Sequence, residues 1–285
     1  VLEWDQESHT ITSVTGYHDA DSTFEYDQAV GNANPENVER RIALDDRTDW
    51  SQELRIASNN GAIWDYMLGA YYENSDVAFS QENYLIPAAV NARPFGASGS
   101  TKLVFPADVE RWGLFTHNQF YLTDALTLQV GLRYQEVDQD RELFSVAGAE
   151  GYSPPFSPDT VPADSLLQQV LSDDNKNENE DSVTGQVTLQ YALNDDLNVY
   201  ALVGTGWRPG GLTVTSTLVP EEVLLFESED STSYELGFKS TLMEGALRLN
   251  GSLYYQDFED YIARLNAQNV RGESGDIDVT GLTVN

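Results

Sequence analysis

The chain has 285 residues, of which 47 are acidic and 15 basic, giving a formal net charge of −32; hydrophobic residues make up 40% and cysteine is absent. Such a charge excludes a sequence-independent nucleic-acid binder, which needs a basic surface to displace counterions. The apolar content excludes a disordered acidic chain, and the lack of cysteine excludes a disulfide scaffold or thiolate metal site.

Period-2 alternation dominates the chain from end to end and predicts ten strands. The first is 9–18. In 50–57, Trp50, Leu54 and Ile56 oppose Ser51, Glu53 and Arg55. In 64–73, Trp64, Tyr66, Leu68, Ala70 and Tyr72 share a face. Segment 112–122 follows. The cleanest case is 126–135, where Leu126, Leu128, Val130, Leu132 and Tyr134 oppose Thr127, Gln129, Gly131, Arg133 and Gln135. Segment 183–192 repeats it, with Val183, Val187, Leu189 and Tyr191 against Thr184, Gln186, Thr188 and Gln190. Then come 197–207, 234–239, 246–258 and a last strand starting near Asp278. Helical spacing is confined to Leu166, Leu167, Val170 and Leu171, at most two turns within a polar segment.

The connections alternate in length. Asn59-Asn60-Gly61, Thr123-Asp124, Asn194-Asp195-Asp196 and Leu242-Met243-Glu244 read as hairpin turns. The segments 19–47, 75–110, 143–181, 209–230 and 259–277 read as long loops, with strand-like pieces inside 75–110. Tight turns therefore fall at one end of an antiparallel meander and long loops at the other. No stretch is long and apolar enough for a membrane helix. A membrane-spanning strand needs only about 9–11 residues with every second one apolar, and transmembrane barrels show this loop asymmetry. The expected fold is all-β: an antiparallel transmembrane β-barrel meander. A soluble sandwich or propeller, acting as a binding or adhesive module, predicts short connections at both ends.

The polar strand faces then become the barrel interior, since charge cannot face lipid cheaply. Lumen-lining candidates are Glu53, Arg55, Gln129, Arg133, Gln135, Gln186, Gln190, Glu235, Lys239 and Arg248, with Asn250 beside them. The acidic excess sits in the long segments. Between 143 and 181 there are eight acids and one base, Lys176. Such runs read as solvated surface, or as ligands for a hard cation such as calcium, although no EF-hand spacing is present. An acidic entrance disfavours anionic solutes there. His9, His18 and His117 lie far apart, and no phosphate-cradling loop or nucleophile elbow occurs. No catalytic residues, resident metal or cofactor are expected.

Several segments resemble the TonB-dependent outer-membrane receptors. Ser51-Gln52-Glu53-Leu54-Arg55-Ile56-Ala57-Ser58 is similar to a barrel strand of that family. Leu122-Thr123-Asp124 followed by Gly131-Leu132-Arg133-Tyr134 resembles its next hairpin. Gly206-Trp207-Arg208-Pro209-Gly210-Gly211 is similar to a motif with Phe and Lys at the second and third positions. Ser233-Tyr234-Glu235-Leu236-Gly237-Phe238-Lys239 and Leu249 to Asp257 resemble the strands after it.

The resemblance implies a 22-stranded barrel enclosing an N-terminal plug. Uptake of siderophore-iron, cobalamin, haem or glycans would be driven by the inner-membrane TonB complex through that plug. Residues 1–285 correspond to part of the barrel domain, about ten strands, with the plug, the TonB box and the final strand outside them. The implied location is the outer membrane of a Gram-negative bacterium, in contact with lipid and lipopolysaccharide. A passive porin-like channel is the alternative transport reading. Gly210 and Gly211 are expected to permit a sharp strand exit.

Overall fold

The computed structural model describes residues 1–29, 38–59, 61–85, 101–141, 143–147, 167–171, 177–212, 225–262 and 277–284. The strands are β1 (Leu2–Asp5), β2 (His9–Ala29), β3 (Val38–Ser58), β4 (Trp64–Leu85), β5 (Thr101–Tyr121), β6 (Leu126–Arg141), β7 (Leu143–Ala147), β8 (Leu167–Leu171), β9 (Asn177–Asn194), β10 (Leu197–Arg208), β11 (Gly211–Leu212), β12 (Leu225–Phe226), β13 (Glu229–Leu242), β14 (Leu247–Glu259) and β15 (Ile277–Val284). All ten predicted strands are present, and β1, β7, β8, β11 and β12 are additional among the described residues. Their order in the main sheet is β1-β2-β3-β4-β5-β6-β9-β10-β13-β14-β15, with β7 and β8 attached beside β5. Neighbours pair antiparallel throughout.

Register sorts the side chains by chemistry. Leu54, Ala70, Leu114, Tyr134 and Val183 form one cross-strand row; Leu128, Leu189, Ala201, Leu236 and Leu253 form another. These rows share the outer face, and no second sheet or helix layer covers it among the described residues. Leu132 is 54% exposed and Leu236 62%. Apart from Ser240, on the outer face near the β13–β14 turn and bonded to the Leu249 carbonyl, the buried side chains lie on the opposite, polar face: Ala43, Ala107, Val109 and Val137, with Thr12, Ser75, Gln139 and Thr188. The sheet thus crowds its polar side chains and exposes its apolar ones, the reverse of a soluble sandwich. That arrangement is stable only where hydrocarbon wets the outside.

Aromatic rows bound the apolar zone. Trp64 stacks on Phe120 at 6.1 Å near the tight turns. At the other boundary Trp50 meets Tyr72 at 5.7 Å, and Trp112 meets Tyr134 at 5.3 Å. From Trp64 to Asn74, the residue opposite Trp50, the strand runs roughly 34 Å at about 3.4 Å per residue. At a tilt near 40° this spans about 26 Å, close to the apolar band of an outer-membrane barrel. No helix among the described residues is long and apolar enough to cross a membrane, which bears only on helices.

Short side chains organise the tight turns. Thr123 Oγ1 accepts from the backbone N–H of Ala125 (3.2 Å) and Leu126 (3.0 Å). Asn194 Oδ1 accepts from the Asp196 N–H at 2.9 Å. Asp65 accepts from the Gly61 N–H, Ser58 Oγ and the Tyr121 hydroxyl at 2.7, 2.8 and 2.9 Å. The β13–β14 turn has Met243, Glu244 and Gly245 all at positive φ (55°, 54° and 91°).

Two sequence expectations are corrected. Among the described residues, the long loops expected at 19–47 and 75–110 are largely strand, and the one expected at 143–181 contributes strand at Leu143–Ala147, at Leu167–Leu171 and from Asn177 onward. β2 runs to Ala29 and β3 starts at Val38; β4 runs to Leu85 and β5 starts at Thr101. The alternation breaks there because the outer face turns acidic above the aromatic row: Asp76, Asp108 and Asp140 stand opposite one another. Pairing continues although the apolar period has gone. Second, Leu167–Leu171 is a strand paired with β7, not a helical turn. At the expected strand exit, β10 ends at Arg208, and neither Gly210 nor Gly211 is among the residues at positive φ. Their role is close approach, described below. Most of the acidic run 143–181 lies outside the described residues.

Candidate solute path along the inner face

The ten candidate residues fall on one face. Glu53 and Arg55 stand opposite Tyr71 and Gly69, whose partners on β5 are Gly113 and Phe115. These in turn face Gln135 and Arg133 on β6. Gln186 lies between Gly131 and Gly204, and Gln190 between Thr127 and Tyr200. Glu235 and Lys239 oppose Leu202 and Asn198, and Arg248 opposes Thr241 near the tight turn of β13 and β14.

Contacts unite some of these and leave others apart. Arg55 Nη1 lies 3.3 Å from Glu53 Oε1, an i,i+2 pair along one strand. Arg133 Nε donates to Gln135 Oε1 at 2.8 Å. Gln129 donates to Gln119 at 3.2 Å. The Tyr200 hydroxyl donates to Glu235 at 2.5 Å, and Lys239 Nζ sits 5.6 Å from the Tyr200 ring centroid. Gln186 is flanked by residues without side chains, so it borders open space.

A polar cluster escaped the sequence reading. Arg111 Nη1 donates to Glu73 at 2.8 Å, and the Tyr71 hydroxyl also donates to Glu73. Ser75, only 2% exposed, donates to Asp49 at 2.6 Å and Glu73 at 3.1 Å. Arg47 Nε reaches Asp49 Oδ2 at 2.6 Å, and His18 Nδ1 lies 3.5 Å from the same oxygen. The legible signal was Arg47-x-Asp49 and Glu73-x-Ser75, polar pairs at strand spacing on one face.

The Gly206–Gly211 motif divides between the two faces. Gly206 and Arg208 are on the inner face of β10, opposite Ser231 and Glu229, and Trp207 is on the outer face opposite Asp230. Beyond Arg208 the chain folds inward onto β6 and β9. The Gly210 N–H donates to Glu180 Oε2 at 2.8 Å, and its carbonyl accepts from Gln139 Nε2 at 3.3 Å and Arg141 Nη1 at 3.5 Å. A Cβ on Gly210 would lie 2.7 Å from the Phe226 carbonyl oxygen; one on Gly211 would lie 2.5 Å from Arg141 Nη1 and 2.7 Å from the Phe226 ring. The two glycines are there because nothing larger fits.

Arg47, Arg55, Arg111, Arg133, Arg141, Arg208, Lys239 and Arg248 lie on the inner face, whereas Arg40 and Lys102, at the far ends of β3 and β5, occupy register positions of the outer parity. Among the described residues Arg133 donates to the neutral Gln135 and Arg141 to the Gly210 carbonyl, with Glu178 and Glu180 near enough to act on Arg141 electrostatically.

The comparisons agree with this geometry. The sequence profile described as "TonB dependent receptor-like, beta-barrel" matches residues 1–284. The pesticin receptor of Yersinia enterocolitica is 28% identical over 235 residues, covering 81% of this chain and 30% of that receptor. The crystal structure of the ferric yersiniabactin uptake receptor FyuA from Yersinia pestis superposes with a TM-score of 0.71 at 17% identity, over 99% of this chain and 38% of FyuA. The ferric-catecholate import receptor Fiu of E. coli K12 superposes at 0.62 with 15% identity, over 98% of this chain and 42% of Fiu. The chain spans less than half the length of each of these proteins. Its apolar outer face, its girdles and the profile match agree: the chain belongs to the TonB-dependent receptor-like β-barrel family and is part of an outer-membrane barrel.

Proposed function

We propose that this chain is barrel wall from a receptor that takes up an iron chelate of the siderophore class, with energy from the TonB complex acting through a plug. Its polar strand face, including the ten candidate residues, lines the solute path. The observation that carries this reading is the row of bases on the inner face of the membrane band. In a chain of net charge −32, Arg55, Arg133, Lys239 and Arg248 all turn inward there, and among the described residues Arg133 donates to a neutral amide. Ferric chelates bearing carboxylate or phenolate oxygens suit such donors, because hydrogen bonds between ionised partners are roughly twice as strong as neutral ones. The names of FyuA, a ferric yersiniabactin uptake receptor, and of Fiu, a ferric-catecholate import receptor, support the same class. Transport of this kind needs binding, release and a moving plug, with no covalent chemistry.

The test uses the full-length receptor in an outer-membrane receptor deletion strain under iron limitation. Ferric yersiniabactin, ferric citrate and a ferric catecholate are supplied separately, in strains with and without TonB. Growth rescue by one chelate, lost without TonB, is the expected result. Rescue that persists without TonB assigns a passive channel, and failure of all three chelates overturns the siderophore reading.

A further inference from the structure

Gln139 is the most deeply buried large side chain described, at 1% exposure. Its Nε2 donates to the Gly210 carbonyl, while its Oε1 has no hydrogen-bond partner. Reversing the amide would set two oxygens against each other, so the orphan acceptor stands. Arg141 is two residues along the same strand and aims at the same carbonyl. It has no ion-pair partner within 4 Å among the described residues; burial pushes the guanidinium below its ordinary range, and Glu178 and Glu180 on β9 pull it back only in part. Two donors thus converge on one neutral oxygen at 3.3 and 3.5 Å, the long end of hydrogen bonding. An arginine in a crowded wall ordinarily faces a carboxylate.

The oxygen it faces belongs to a lightly held segment. Beyond Gly210, the two-residue strand β11 is paired, among the described residues, with β12 alone, through Gly211–Phe226 and Leu212–Leu225. On its other side the Gly210 N–H is held by Glu180. Because Gly210 and Gly211 lack side chains, the segment lies flat on the guanidinium, as a small ligand would.

We propose that Gln139 and Arg141 form a recognition point for a carboxylate oxygen of the solute, and that the Gly210 carbonyl fills it in the unliganded state. A bound carboxylate displaces that carbonyl and frees the Pro209–Leu212 segment from the wall. The proposal rests on the uptake reading above, in that it names the group of the solute that this part of the wall receives.

The experiment is hydrogen exchange followed by mass spectrometry on the intact, detergent-solubilised receptor, with citrate as the probe. The Gly210 N–H is protected by Glu180, so undocking registers directly as faster exchange in peptides covering Gly206–Leu212. About 10 mM citrate is expected to speed that exchange about fivefold or more in the natural receptor, with chloride at equal ionic strength inactive. R141Q abolishes the response. Should R141Q fail to fold, R141K and Q139A serve, each with a response cut at least threefold or so, since a lysine or a lone arginine cannot reproduce the two-donor site. No response in the natural receptor, an equal response to chloride, or a full response in the variants overturns the site. A citrate response without uptake of any of the three ferric chelates sinks the transport reading and leaves the site; uptake without the response sinks the site alone.

Discussion

Two arginine substitutions at neighbouring depths separate a hydrocarbon-facing surface from any other. Leu132 is 54% exposed on the outer face, opposite Thr116 on β5 and Gly185 on β9, and its side chain lies over Gly185. Its row passes through Leu68, four residues above Trp64 on a span of ten, so it lies near the middle of the apolar band. An arginine at the midplane of a barrel's lipid face costs about 2–4 kcal/mol, or about 30-fold to 900-fold in the folding equilibrium. Gln186 is one residue lower on the inner face, between Gly131 and Gly204. An arginine there meets no Cβ on either side and stays solvated, at a cost of about 0.5 kcal/mol or less. The assay is equilibrium unfolding by urea of the full-length receptor in lipid vesicles, read by tryptophan fluorescence. Leu132→Arg should lower the midpoint strongly and Gln186→Arg barely. Equal effects would refute the face assignment, and with it the barrel.

Other predictions follow from particular contacts. Replacing Met243-Glu244 by Asn-Gly should stabilise the β13–β14 hairpin by about 1 kcal/mol, because both positions are at positive φ, where other side chains are strained; thermal melting of the receptor measures it. Asp65→Ala removes three hydrogen bonds at the β3–β4 turn and should cost about 2–3 kcal/mol, seen as a lower urea midpoint. Asp108 stands between Asp76 and Asp140 on the acidic outer rows above the membrane, and its carboxyl is pushed up, first by burial and then by Asp76, Asp140 and Glu110. A carboxyl raised in the folded state weakens the fold above that pKa, and the weakening disappears as pH falls through it. Asp108→Asn should therefore raise Tm at neutral pH, with a gain that shrinks as the medium is acidified; a gain independent of pH would contradict the electrostatic cause.

Within the membrane band the strands and their faces were legible, because there the solvent changes from one side of the sheet to the other. Leu128, Val130 and Leu132 could be sorted from Gln129, Gly131 and Arg133 by parity alone, and the register confirms the sorting. Above Trp50 and Tyr72 both faces meet water, so Asp46, Asp76 and Asp108 could occupy positions that lower down hold leucine. Alternation vanishes while the ladder of backbone hydrogen bonds continues, so parity alone cannot tell strand from loop there. Leu167–Leu171 is short enough that strand and helix spacing cannot be told apart. The docking of Gly210 joins residues about 70 positions apart, a contact for which no local pattern exists. Glycine there signalled a special backbone, but whether for a turn or for a tight fit depends on what lies opposite.

β4 continues thirteen residues past Tyr72 and β5 begins eleven before Trp112. At about 3.4 Å per residue and a tilt near 40°, β4 rises roughly 34 Å beyond the aromatic boundary. That is a stiff turret taller than the lipid it stands on. It carries paired backbone out of the hydrocarbon into water on both sides, so this stretch keeps its shape through its ladder of hydrogen bonds, with no oil pressing on either face.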